Sequence, residues 1–399
     1  MKSKVYEIWW IFVMISILLM ALFSPTLAEM WTAPKAITDG KSCDEYPTIA
    51  ADRKGNIWIA WCSDRDGNNN IYARRWNGER WSKPIRITKD KGDDYSPTMV
   101  ADKKGNLWIA WVTNRNGNYD IYAKYYDGRS WSKSMSVTTF EEDDMHPAMT
   151  VDKQGRVWVA WYTWLLYQGI SRDRDVFISY YDGRSWSERV RVNPLKPEVE
   201  DHTDPDICVD SLGNIWVIWS WDYHPSLYEK PKAARGTKIF AREYNGKNWL
   251  DETLVSIRES PTDDFFPAMA TDRDGKVWAV WESYESDKSR DIFVNYYNGK
   301  GWCGPIQITR DKSSDCDPSI IVDNEGMVWI FWQTNRDGNW NIYESHYDGK
   351  RWSKPAAVTE GKTEDRYPAL TLDKDGNIWL TWYGQKEGKS QIFYSRWKR

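Results

Sequence analysis

The chain has 399 residues, a formal net charge of −4, and 28 Trp in a composition that is 41% hydrophobic. That balance shows no basic stripe and excludes nucleic acid as an expected partner. Only the first 28 residues hold an apolar run near the length of a membrane span, so no later segment is expected to cross one.

Residues 1–28 read as a secretory signal peptide: Lys2 and Lys4, an apolar run to about Phe23, then "SPTLA" before Glu29. Cleavage after Ala28 would deliver a secreted or extracytoplasmic protein, in the periplasm or at the cell surface. Retained, the segment would be an anchor and the chain's one route to a membrane. Residues 30–399 read as a single domain, because a repeat of about fifty residues runs through them.

The first repeat sets the pattern. "YPTIAAD" (46–52), "NIWIAW" (56–61), "NIYARRW" (70–76) and "RWSKPIRIT" (80–88) predict four strands. Asp52–Gly55 and Asn77-Gly78 supply the turns, since tight hairpins need positive φ. The second strand is apolar on both faces and must be sandwiched. Its phrase, Gly-x-hydrophobic-Trp-x-x-Trp, recurs seven times, from Trp58/Trp61 to Trp379/Trp382, each time with an Asp three residues before the Gly and a Pro further back. Those pairs account for fourteen Trp, and seven more open the fourth strands, so 21 of the 28 are skeleton.

The seventh repeat stops at "QIFYSRWKR", its third strand, while "WTAPKAIT" (31–38) matches "WSKPIRIT" (81–88). The N-terminal strand is therefore expected to complete the last repeat and remove the open edges of a linear array. The fold class expected is all-β: a seven-bladed β-propeller of four-stranded antiparallel blades, closed three-plus-one. Cys43 and Cys62 fall close together in repeat 1 and form a disulfide candidate; the other three of the five Cys have no evident partner. Nothing has zinc-ligand spacing, and no metal or cofactor is expected.

"SDRDGNNNIYARRWNG", "NRNGNYDIYAKYYDG" (114–128) and "NRDGNWNIYESHYDG" (335–349) resemble TolB-type propeller repeats, and "YDGRSWS" resembles a shortened Asp-box of the bacterial-neuraminidase type. The resemblance spans residues 31–399 and implies a propeller. A sialidase would add an arginine triad and an Arg-Ile-Pro motif before the first box; the chain has no Arg-Ile-Pro.

Function is expected where the repeats break. Five extra residues lie between Trp161 and Val176 and ten between Trp219 and Ile239, in loops at one end of the blades, while the opposite turns keep constant length. "YTWLLYQGISRDRD" (162–175) and "SWDYHPSLYEKPKAARGTK" (220–238) bring Trp164, Tyr167, Arg172, Arg174, Trp221 and Tyr223, and the approaches to repeats 3 and 4 add His146 and Asp201. These are expected to bind a ligand, since aromatics with a few polar groups suit a sugar or peptide. Glu282 stands where the other repeats carry Cys62, Val112, Tyr162, Ser220, Gln333 and Tyr383. It is a catalytic candidate with Asp222, His202 and His224, and an ion pair with Lys238 or Arg290 is its competing role. A ring of Asp44, Asp94, Asp144, Asp264, Asp315 and Asp365, with His202 in repeat 4, precedes each Pro by three residues. Its repetition marks architecture, paired with Arg65, Arg115, Arg336, Arg174 and Arg290. The leading expectation is a non-catalytic propeller binding a glycan or an extracytoplasmic protein. The alternative is a sialidase-like hydrolase or polysaccharide lyase using the loop carboxylates and histidines.

Overall fold

The computed structural model describes residues 31–167, 171–194, 201–222, 236–258, 262–284 and 289–398. Residues 1–28 lie outside them. Among the described residues there is no helix long and apolar enough to cross a membrane, and 28 strands form six sheets. Five sheets hold four strands; the sixth holds eight, as two antiparallel meanders joined by one parallel bridge between Arg174 and Asp201. This is an all-β architecture of propeller type.

The second strands are the core. Ile57–Ser63, Leu107–Thr113 and Val328–Thr334 are buried at every position. The two tryptophans of the phrase do different work. The first donates its Nε1–H to the turn aspartate six residues back in all seven repeats, at 2.9–3.2 Å, from Trp58 on Asp52 to Trp379 on Asp373. The same carboxylate accepts the backbone N–H that closes the turn, as Asn56 does on Asp52 at 3.0 Å. Losing it would orphan a buried indole at a cost of about 1–3 kcal/mol. The ring then packs on the aromatic pair of the next repeat, Trp58 on Tyr126 and Trp131. Trp379 packs in the same way on Trp76 and Trp81, which brings the last repeat against the first.

Closure is by the N-terminal strand. Lys35–Ala36 pairs with Tyr394 and Phe393, and Trp31 bridges Trp397. The outer strand is shorter than the expected 31–38, as it is in every repeat: two paired residues plus one Trp bridge. Pro34 lies between the pairing points and has no N–H to give.

Two expectations are corrected. All five Cys are free; the Cys62 thiol donates across to the Asp94 carbonyl of the next repeat, at 3.3 Å. Residues 162–167 and 171–175 are strand, not loop. Val157–Tyr167 and Ser171–Tyr181 pair from Val157/Tyr181 out to Tyr167/Ser171, so the insertion lengthens a hairpin.

One irregularity recurs in the first strand of each repeat. The ladder slips at the blade proline, as between Glu45 and Thr48 or Cys316 and Ser319. Proline cannot donate to a ladder, and the residue before it sits at positive φ: Tyr46, Ser96, His146, Asp204, Phe266, Asp317 and Tyr367, all between 47° and 55°. Seven left-handed non-glycine residues at one register position make a ring of β-bulges.

Candidate functional site

The bulges enclose a cavity of about 650 Å³ lined by those seven residues, the prolines that follow them, and Tyr95, Tyr119, Met145 and Asp206. That volume suits a ligand of a few sugar rings. The bulge sits near the start of each first strand, at the end that carries the elaborated hairpin loops. The cavity thus opens on the face where the sequence placed function, though at its centre and not on its loops.

Charge is confined to one arc. His146 Nδ1 lies 3.4 Å from Asp204 Oδ1, and the imidazole packs on the Tyr162 ring at 5.5 Å. Burial holds the Asp204 carboxyl above its usual range, against the pull of His146. Across Phe266, Asp317 is pushed up to about 6, first by burial; Arg290 and Arg366 oppose the shift and the Asp204 charge adds to it.

Glu282 sits behind this wall. It is 1% exposed; its Oε2 accepts the Asp317 N–H at 3.0 Å, and Arg290 stands 3.0 Å from its Oε1. Burial first, then the Asp317 charge, pushes its carboxyl up to about 7, while the Asp317 N–H and Arg290 pull against that. Gln333 holds the next bulge in the same way, accepting the Tyr367 N–H at 2.9 Å. In these two repeats the slot after the second Trp steadies the neighbouring bulge, Glu282 with a carboxyl and Gln333 with an amide. The cation it meets is Arg290; Lys238 binds Thr262 and lies 3.7 Å from Asp264.

The other sequence-predicted residues divide. His146 lines the cavity. Trp164, Arg174 and Asp201 lie together but do not line the cavity: the Arg174 guanidinium stands 4.7 Å over Trp164 and its Nε is 3.4 Å from Asp201. Asp222 pairs opposite Asp201 in the ladder. His202 and Trp221 belong to the core. His202 is 2% exposed, its Nδ1 accepts the Trp219 indole N–H at 2.9 Å, and Trp221 stacks on it at 5.7 Å while meeting Phe240 edge-on. His202 therefore does in repeat 4 what the ring aspartates do elsewhere, as when Asp44 accepts from Trp61 or Asp315 from Trp332. Arg65, Arg115 and Arg336 pair with that ring as expected, and Arg258 joins them at Asp264. Arg174 and Arg290 instead take Asp201 and Glu282. The side chains of Tyr167 and Arg172, and all of Tyr223 and His224, lie outside the described residues.

Sequence reasoning missed Tyr46, Asp204, Phe266, Asp317 and Tyr367. The column before the blade proline reads Tyr, Ser, His, Asp, Phe, Asp, Tyr, but the column before that varies as widely, from Glu45 and Tyr95 to Cys316 and Arg366, so variation alone does not single it out.

No protein-family model matches this chain, and no curated protein matches it. Solved structures do. An ulvan lyase described as a new family of polysaccharide lyase is similar over 90% of this chain and 94% of its own, at 12% identity and a TM-score of 0.64. The α-L-arabinanase of Penicillium chrysogenum, complexed with arabinobiose, is similar over 93% and 98%, at 9% identity and a TM-score of 0.55. A protein of unknown function from Dyadobacter fermentans is similar over 91% and 98%, at 12% identity and a TM-score of 0.56. At such identities the likeness is one of fold: this chain is built like propeller-type proteins, glycan-active enzymes among them.

Proposed function

We propose that this chain is a seven-bladed, secreted propeller that cleaves glycans by hydrolysis in the axial cavity, with the carboxyls of Asp317 and Asp204 as its acid–base pair. The observation that carries the reading is chemical variation on a repeated backbone. Seven bulges share one conformation, yet acids occupy only two of the seven positions, both facing the same cavity and close enough for the Asp204 charge to raise Asp317. A glycosidase needs two carboxyl groups flanking the bond, one of them protonated near working pH. Asp317, pushed up to about 6, is the proton donor; Asp204 with His146 beside it is the base. Glu282 positions Asp317 through its N–H. The fold likeness to an arabinanase and an ulvan lyase supports a glycan-active role over the binding-only one. Hydrolysis is preferred to elimination because two bulge acids, Asp204 and Asp317, face the cavity against a single imidazole, that of His146.

The test is a panel of neutral polysaccharides and uronate polysaccharides, read for new reducing ends and, separately, for the ultraviolet absorbance of unsaturated products. Neutral chains are expected to release reducing ends. Asp317→Asn and Asp204→Asn should each lower kcat by roughly 100-fold or more with binding retained. Unsaturated uronate products, or full turnover in both variants, would overturn the assignment.

A further inference from the structure

Three of the seven bulge residues are large aromatics, and their placement is not what folding would choose. Tyr46, Phe266 and Tyr367 are 39%, 39% and 37% exposed, and all three line the cavity. Each sits at positive φ, 52°, 49° and 55°, a region that bulky side chains avoid and that glycine or asparagine enters with little strain. A half-exposed aromatic returns only part of its burial energy to the fold. The chain therefore carries strain at three places and leaves apolar surface open to water. Strained residues of this kind cluster at ligand sites.

The arrangement is built. Tyr367 lies stacked on Tyr383 at 5.7 Å and 19°, and Tyr46 meets both rings edge-on, at 5.2 and 6.2 Å. The Tyr367 backbone is pinned by Gln333. Burial raises the phenols of Tyr46, Tyr367 and Tyr383 above their usual range, so the hydroxyls remain neutral donors. In chain order the Tyr367–Tyr46 pair follows the Asp317 bulge directly, and Phe266 separates Asp204 from Asp317. Aromatic faces thus flank Asp317 on both sides, and Asp204 on one, with His146 on its other.

We propose that Tyr46 and Tyr367, backed by Tyr383, form a stacking platform for the apolar face of an uncharged sugar ring, with Phe266 as a second face between the two acids. The platform rests on the glycan reading above and assigns its substrate class: neutral sugars, held by ring stacking and by phenol hydroxyls donating to sugar oxygens.

The experiment measures binding apart from turnover. Tyr46→Asn and Tyr367→Asn are compared with the unaltered chain by calorimetric titration against neutral arabino-, xylo-, galacto- and gluco-oligosaccharides and against oligouronates, and the unfolding midpoint of each variant is recorded. At least one neutral oligosaccharide is expected to bind, more weakly in each variant by about tenfold. Because asparagine accepts positive φ, the midpoints should hold or rise. Unchanged affinity, tighter binding of oligouronates, absence of binding across the panel, or a fall in midpoint that accompanies the loss of affinity would each overturn the platform. A chain that binds but does not cleave would remove the hydrolytic reading and leave the platform standing. A chain that cleaves with both variants unaffected would do the reverse.

Discussion

Two columns of the same strand, two residues apart, behave in opposite ways. Three residues before each blade proline stands Asp44 or its counterpart, buried in every repeat and accepting or facing the second Trp of the core phrase. Its chemistry is constant, and the one exception, His202, makes the same bond with a nitrogen in place of an oxygen. One residue before the proline the backbone is just as constant, with φ from 47° to 55°, but the side chain changes at nearly every repeat. Where the fold reads a side chain, seven copies agree. Where the fold fixes only the backbone, the side chain is left for other work, and here it faces a cavity.

The constant part can be broken hardest at the seam. Trp31 packs edge-on against Phe331 and Trp397, and Ile37 beyond it is 2% exposed. Trp31 is partly buried, so Trp31→Ala should cost about 2–3 kcal/mol, below the range for a large aromatic lost from a core, and removing residues 31–38 should cost more by reopening two edges. Chemical denaturation measures this. A midpoint unmoved by the deletion would mean that the N-terminal strand is ornamental and the ring closes otherwise.

Glu282 tests whether a carboxyl in a structural slot leaves a mark on stability. Its pKa is pushed up to about 7 from an ordinary value of 4.5, mainly by burial. A carboxyl raised in the native state holds its proton more tightly there. Its stabilising share is complete below the unfolded pKa and is lost as pH rises through about 7. Glu282→Gln keeps the shape and can still accept the Asp317 N–H, as Gln333 does for Tyr367. Relative to the unaltered chain, the variant should gain as pH rises from about 5 to about 8, by up to roughly 3 kcal/mol if the full shift is realised. A stability difference that stays flat with pH would show that Arg290 fully compensates the buried charge.

The sequence showed the skeleton well because the skeleton is written seven times. The four-strand repeat, its turns and the N-terminal seam all follow from a second strand apolar on both faces, Asn-Gly and Asp-Gly turns, and a truncated last copy. The site was legible only in part. Segments that change length were the expected site, yet residues 162–167 and 171–175 extend a hairpin whose Trp164 and Arg174 pack on one another. His202 looked distinctive as one of four His, but replacing Asp by His conserves a bond to Trp219. Asp204 and Asp317 change no length and break no motif. Their importance comes from a β-bulge that turns the residue before proline inward, a backbone event that neither composition nor periodicity announces.

The smallest effect separates backbone from side chain most cleanly. Ser96 is the least elaborate member of the variable column: it lines the cavity at φ 47° between the Tyr46 and His146 bulges. If the bulge is imposed by Pro97 and the broken ladder between Tyr95 and Thr98, the left-handed conformation is a burden that the serine bears without helping to create it. Glycine enters that region freely, so Ser96→Gly removes local strain worth about 1 kcal/mol. Part of that is returned through the greater freedom of glycine in the unfolded chain. The net expectation is a gain below about 1 kcal/mol, with oligosaccharide affinity unchanged because the serine brings neither a ring nor a charge to the cavity. A clear loss of stability would mean that the side chain helps to hold the bulge, and the division between a backbone that is read and a side chain that is free would fail at that position.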